Sequence, residues 1–282
     1  MNLMTYKTFP LIIPLLTVAF NSCLENADID SPKPVIDAWF DSDGYPVVIF
    51  TFAVDPSDIS TPISEKVIRW GKVTVFDGER EIVLTGGPSN DYFPPYRYFT
   101  YEMKGEPGKH YKLTADYKGY HAESECVMME PTRITEIEVL PSEENDSTRE
   151  VYLHFTSPDD CPAYYYVRVR NEEQKGRAFP ALMGTYKATR PGEEVRLQVF
   201  RPKNSLDTTH YSPDFLLGDN LEISLCRVPE EVYDFWVGYD NSIIFSGSQF
   251  IDTSQSLKGN VGGGYGIWSV QGVWKEYLTI QP

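Results

Sequence analysis

Val73-Thr74-Val75-Phe76-Asp77-Gly78-Glu79-Arg80-Glu81-Ile82-Val83-Leu84 decides the fold class of this chain. Two short runs of branched and aromatic residues, the kind that fit a pleated and half-buried surface, flank an Asp-Gly pair. Such a pair supplies the positive φ that a tight turn demands, so the stretch predicts a hairpin of two antiparallel strands. The same grammar repeats on both sides. Upstream, Val47-Val48-Ile49-Phe50-Thr51-Phe52-Ala53 reads as a strand. Downstream, Tyr111-Lys112-Leu113-Thr114-Ala115-Asp116-Tyr117 alternates and turns at Lys118-Gly119 into a further strand over 120–127. Roughly seven strands, with no useful helical period between them, predict an immunoglobulin- or transthyretin-like β-sandwich over residues 35–131.

A seam at Met128-Met129-Glu130-Pro131-Thr132 opens a second β-rich domain, residues 132–282. Ile134-Thr135-Glu136-Ile137-Glu138-Val139 alternates apolar with polar, and an acidic loop over 142–147 separates it from Val151-Tyr152-Leu153-His154-Phe155. Further strands are expected at 163–170, 195–201 and 221–227. One segment breaks the pattern: Pro229-Glu230-Glu231 is followed by Val232, Phe235, Trp236, Tyr239 and Ile243. Proline and acids in a first turn, then apolar residues at three- and four-residue steps, predict one short helix packed by its aromatic face on a sheet. Near the end, Gly262-Gly263-Gly264 lacks the Gly-Lys-Ser/Thr of a phosphate loop and no helix start follows it. Glycines there mark a bulge or a close approach of another backbone.

The amino terminus is read as an export signal. Lys7 precedes an apolar run from Phe9 to Phe20, interrupted by Pro10 and Pro14, which leads into Asn21-Ser22-Cys23. The run is well short of the roughly 20 apolar residues a spanning helix requires. Residues 1–22 are the expected signal peptide. A cysteine in this position resembles the lipidation site of bacterial lipoproteins, where Cys23 becomes the acylated first residue carrying palmitate-type chains. Residues 23–34, polar, acidic and closed by Pro34, then form a tether. Acids just after the cysteine resemble the surface-export signals of Bacteroidetes lipoproteins.

With 41 acidic and 25 basic residues the chain carries −16, and removal of Lys7 with the signal makes it more negative still. That balance excludes nucleic acid as a partner and disfavours lying flat on an anionic membrane. Cys126, Cys161 and Cys226 remain after Cys23; three thiols allow at most one disulfide within the chain, and no pair is preferred.

Several segments together resemble one family. They are Pro107-Gly108-Lys109-His110-Tyr111-Lys112-Leu113, Ala163-Tyr164-Tyr165-Tyr166-Val167-Arg168-Val169, Val232-Tyr233-Asp234-Phe235-Trp236 and Asn260-Val261-Gly262-Gly263-Gly264-Tyr265-Gly266-Ile267-Trp268. With the signal, they are similar to a Bacteroidetes outer-membrane lipoprotein family catalogued as a domain of unknown function, over essentially residues 23–282. The resemblance implies a two-domain, lipid-anchored, surface-exposed protein of the outer membrane, working alongside a TonB-dependent transporter. It supplies no catalytic residues.

Chemistry-bearing motifs are sparse. His110, His121, His154 and His210 form no metalloprotease spacing, and no Gly-x-Ser-x-Gly elbow occurs. Asp41-Ser42-Asp43-Gly44 opens like a calcium loop, but Pro46 and Phe52 stand where Gly and Glu are needed. No catalytic residue, metal ligand or cofactor is assigned. Asp91-Tyr92-Phe93-Pro94-Pro95-Tyr96 is the one candidate for recognition, because consecutive prolines force a loop and exposed rings stack on sugars or anchor a protein partner; the alternative is packing, with Tyr96 to Tyr101 forming a strand that buries alternate rings. Tyr92, Phe93 and Tyr96 are the candidate ligand-binding residues, for a glycan or protein ligand. The expected function is a non-enzymatic binding or accessory subunit in nutrient capture. The alternatives are a surface adhesin or structural subunit and, more distantly, a glycan hydrolase.

Overall fold

Gly78 takes φ +93°, and Asp77 locks the turn by accepting the N–H groups of Glu79 at 3.0 Å and Arg80 at 2.7 Å through Oδ1. The computed structural model describes residues 33–53, 62–143, 145–172, 176–203, 211–244 and 257–281. Among them the chain is mostly β. The first half supplies β1 (Pro34–Asp41), β2 (Val47–Phe52), a 3-10 turn (Ile63–Glu65), β3 (Lys72–Phe76), β4 (Glu81–Val83) and β5 (Thr85–Pro88). Then come β6 (Tyr96–Phe99), β7 (His110–Tyr117) and β8 (Tyr120–Val127). The second half supplies β9 (Ile134–Pro141), β10 (Thr148–Thr156), β11 (Ala163–Asn171), β12 (Phe179–Ala188) and β13 (Glu194–Val199). It ends with β14 (Phe215–Leu216), β15 (Asn220–Val228), the helix α1 (Glu230–Ile244) and β16 (Tyr265–Thr279).

The predicted hairpins β3–β4 and β7–β8 both form and join in one sheet, ordered β4-β3-β7-β8. A second four-stranded sheet joins β13, β10 and β14, with β9 also on β10. An eight-stranded sheet, β12-β11-β15-β16-β1-β2-β6-β5, draws strands from both sides of residue 131. Its middle is β16. The first half of that strand runs parallel to β1, Val35 opposite Tyr265 through Asp41 opposite Gln271. Its second half runs antiparallel to β15, Arg227 opposite Gly272 through Asn220 opposite Thr279.

Successive side chains of a strand point to opposite faces, and the two faces of the long sheet have different fates. On one face Ile36, Ala38, Phe40, Trp268 and Val270 pack against Val73, Val75, Tyr111 and Leu113 of the β3–β7 sheet. Tyr165, Val167, Ile223 and Leu225 pack likewise against Val151, Leu153, Phe155 and Val195 of the β10–β13 sheet. These are two sandwich cores. The helix α1 goes to the opposite face, where Trp236 stacks on Tyr166 at 4.9 Å with the rings 19° apart.

The glycines near the end are there for close approach. A Cβ on Gly263 would lie 2.1 Å from the carbonyl oxygen of His121, and one on Gly266, at φ +112°, 1.8 Å from that of Ile36. Asn260 completes the join: its Oδ1 accepts the Trp268 N–H at 2.8 Å, and its Nδ2 donates to the Trp268 carbonyl at 2.9 Å. Cys126, Cys161 and Cys226 are all free thiols. Among the described residues no helix is long and apolar enough to cross a membrane.

Candidate functional site

The helix-covered face of the long sheet carries the most unusual chemistry in the molecule. Asp37, Trp39 and Asp41 alternate onto it from β1, an arrangement that requires buried partners. Asp41 is bonded by Arg168 through Nη1 at 3.2 Å and Nη2 at 2.7 Å, and by Gln271 Nε2 at 2.5 Å. Gln271 in turn accepts from Tyr166 Oη at 2.5 Å and Ser269 Oγ at 2.8 Å. Burial pushes the Asp41 carboxyl up, but the Arg168 charge and hydrogen bonds, Lys275 and Gln271 outweigh it and hold Asp41 below the usual carboxylate range. Beside this network, burial pushes the Cys226 thiol up to about 11, so it stays protonated and unreactive.

Next to it lies a second ion pair. Arg177 Nη1 donates to both oxygens of Asp37 at 2.7 Å, and its guanidinium stands over the Trp39 ring at 4.3 Å and the Trp236 ring at 5.7 Å. This pair floors an apolar cleft of about 530 Å³, walled by Phe179 and Pro180 of β12, Phe235, Trp236 and Tyr239 of α1, and Ile36 and Ile267. The volume falls within the range of small-molecule sites. A second cleft, of about 730 Å³, shares Phe179, Pro180 and Tyr239 with the first and continues to Phe93, Arg201, Lys203 and Phe215. Asp37 lines the first cleft and Asp219 the second, one carboxylate each.

The helix wall holds two polar atoms without hydrogen-bond partners among the described residues, Trp236 Nε1 and Asp240 Oδ2. They are four residues apart and so share one helix face. Desolvation by burial pushes the Asp240 carboxyl up to about 6, although the Met183 N–H bonds its charged form. A carboxyl raised from 3.8 in the unfolded chain contributes stability that is complete below that value and is lost as pH rises through about 6. Keeping it ionised near neutrality costs about 3 kcal/mol. Asp240→Asn is therefore expected to raise stability by about that amount near pH 8 and by little near pH 4. Urea unfolding at both pH values checks this; equal effects at the two would contradict it.

The structure separates the three residues of the predicted recognition loop. Phe93 stands 73% exposed at the mouth of the second cleft. Tyr92 is half-buried behind it, 5.7 Å from the Trp39 ring and bonded by Arg97 Nη1 at 3.0 Å. Tyr96 turns away, packs on the first core and donates to the Arg69 carbonyl at 2.9 Å. Cys23 and His210 lie outside the described residues. Among those described, no group of three His, Cys, Asp or Glu side chains is placed to hold a metal. Arg177, Phe179, Arg201 and Lys203 were not singled out by the sequence; they reach the clefts through pairings distant in the chain. Trp236 and Tyr239 were read first as a packing stripe, with a binding role as the minor alternative.

No family model matches the chain, and no curated protein matches it. Among solved structures, bovine butyrophilin matches over 71% of this chain and 93% of its own, at 9% identity and a TM-score of 0.19.

Proposed function

We propose that this protein is a non-enzymatic outer-membrane lipoprotein, acylated at Cys23, that binds a small ligand as an accessory subunit of nutrient capture beside a TonB-dependent transporter. The observation that carries the binding role is the aromatic cleft between α1 and β12, of about 530 Å³. A mostly apolar, concave lining with a few placed polar groups is the general form of a small-molecule site. Membrane attachment rests on the sequence: an export signal that ends at a cysteine. Each buried methylene contributes about 0.8 kcal/mol, so the two or three chains of a bacterial lipoprotein anchor stably where one alone does not.

Cys23→Ala is expected to move the protein from the membrane fraction to the soluble one, read by fractionation and immunoblot. Retention of the variant in membranes would contradict the anchor. Pull-down of the native protein from solubilised outer membrane is expected to recover a large β-barrel transporter. A second reading, a surface adhesin, is favoured by Trp70, 86% exposed, together with Phe93. The same pull-down separates the two, since an adhesin would recover pilus-like or host proteins.

A further inference from the structure

We infer that the two clefts form one site for an elongated amphipathic anion, its apolar body between Phe179, Trp236 and Tyr239 and its charged head at Arg201 and Lys203. The inference rests on the binding role proposed above and adds the chemical class of the ligand. Continuity comes from the shared wall: Phe179, Pro180 and Tyr239 line both clefts. The two ends differ in kind. In the first cleft the one cation, Arg177, is already neutralised by Asp37 and faces two indole rings. That end suits an uncharged body.

The second cleft is where positive charge is left over. Between positions 168 and 227, Arg168, Arg170, Arg177, Arg190, Arg196 and Arg227 each face a carboxylate. Arg201 is the exception, with no ion pair among the described residues, and it lines the cleft. Lys203 beside it likewise has no carboxylate partner there and rests over the Tyr211 ring at 5.6 Å. The one carboxylate lining this cleft, Asp219, is held by neutral donors and offsets only one of the two cations. Its Oδ2 accepts the Leu216 N–H at 3.0 Å, and its Oδ1 accepts from Asn171 Nδ2 at 3.5 Å.

In a chain of net charge −16, two nearby cations with no ion pair among the described residues, against one lining carboxylate, leave this end of the cleft a local excess of positive charge. Screening mutes acids beyond about 8 Å at physiological salt, so the preference is set locally, by Arg201 and Lys203 against Asp219 and the Asp214 and Asp240 carboxylates that also act on Tyr211. A carboxylate or a phosphate head satisfies this pair equally in sign, and both form charge-assisted hydrogen bonds to a guanidinium.

The test uses the full chain carrying Cys23→Ala, which removes the acylation site. An uncharged fluorescent probe, N-phenyl-1-naphthylamine, is displaced by dodecanoate, dodecyl phosphate or dodecanol, which share one tail. Either anion is expected to displace the probe at concentrations about tenfold lower than the alcohol. Whichever anion is stronger identifies the head. The double variant Arg201→Gln/Lys203→Gln is expected to erase the preference and leave dodecanol unchanged, whereas Tyr239→Ala weakens all three. Equal displacement by acid and alcohol, or a preference that survives the double variant, would overturn the ligand class and leave an apolar binding cleft standing. Failure of the probe to bind at all would overturn the binding role as well.

Discussion

Arg168→Leu is expected to destabilise the protein by about 3–5 kcal/mol. The Arg168 side chain is only 4% exposed and that of Asp41 15%, so the pair was desolvated at considerable cost. Removing the guanidinium leaves Asp41 without its main counter-charge, and Gln271 Nε2 and Lys275, the latter 3.9 Å away, are poor substitutes. Asp41→Asn combined with Arg168→Leu is expected to recover much of the loss, because the stranded charge is then absent. The pH dependence follows from the direction of the Asp41 shift. A carboxyl held below its unfolded value of 3.8 contributes stability that is present above that value and lost as pH falls through the lower, folded one. The wild type is therefore expected to lose this contribution in acid, and Arg168→Leu to show a weaker loss there. Urea unfolding across that range measures both; a single variant within about 1 kcal/mol of wild type at neutral pH would contradict the account.

Gly266→Ala is expected to cost about 3 kcal/mol or more, through two additive causes. At φ +112° any L side chain is strained, and the new Cβ would stand 1.8 Å from the Ile36 carbonyl oxygen. That oxygen is backbone of β1, which pairs with β16 from Val35 opposite Tyr265 onward, so relief requires moving one of the two strands. Gly78→Ala provides the comparison. It shares a positive φ, +93°, but nothing lies within 4 Å of its added Cβ, so only the backbone penalty of about 1–2 kcal/mol applies. Thermal unfolding of the two variants separates close approach from turn geometry. Equal losses would show that the parallel join of β1 and β16 is not as tight as described.

What the sequence made legible is what short-range chemistry controls. The Asp77-Gly78 and Lys118-Gly119 turns, with their flanking alternation, placed two hairpins that form as read. Pro229-Glu230-Glu231 and the apolar steps after it placed α1. The three-glycine run was legible as a place of close approach but not as to which backbone approaches, since that depends on His121 of β8 and Pro34 of β1, both far earlier in the chain. β12 was not foreseen as a strand: Gly184 and the positive φ of Met183 break its alternation, and its pairing with β11 slips beside Tyr166 and Arg168. The clefts stayed invisible for the same reason. Their walls and floor join Asp37 to Arg177, 140 positions apart, and Phe93 to Arg201, and no local period records such meetings. One signal was available. An arginine amid the apolar run of β11 demands a buried counter-charge, and Asp41 of β1 was one of several strand carboxylates able to supply it.

A tethered body that holds a ligand against the wall shared by Phe179 and Tyr239 should carry that ligand out of the membrane with it. Native mass spectrometry of the full chain, gently released from the membranes of the cells that make it, tests this most directly. The expected species is a chain acylated at Cys23 that retains one amphipathic anion, with loss of that passenger from Tyr239→Ala while the acylation stays intact. A bare chain with an unmodified amino-terminal thiol, or a passenger indifferent to Tyr239, would contradict it.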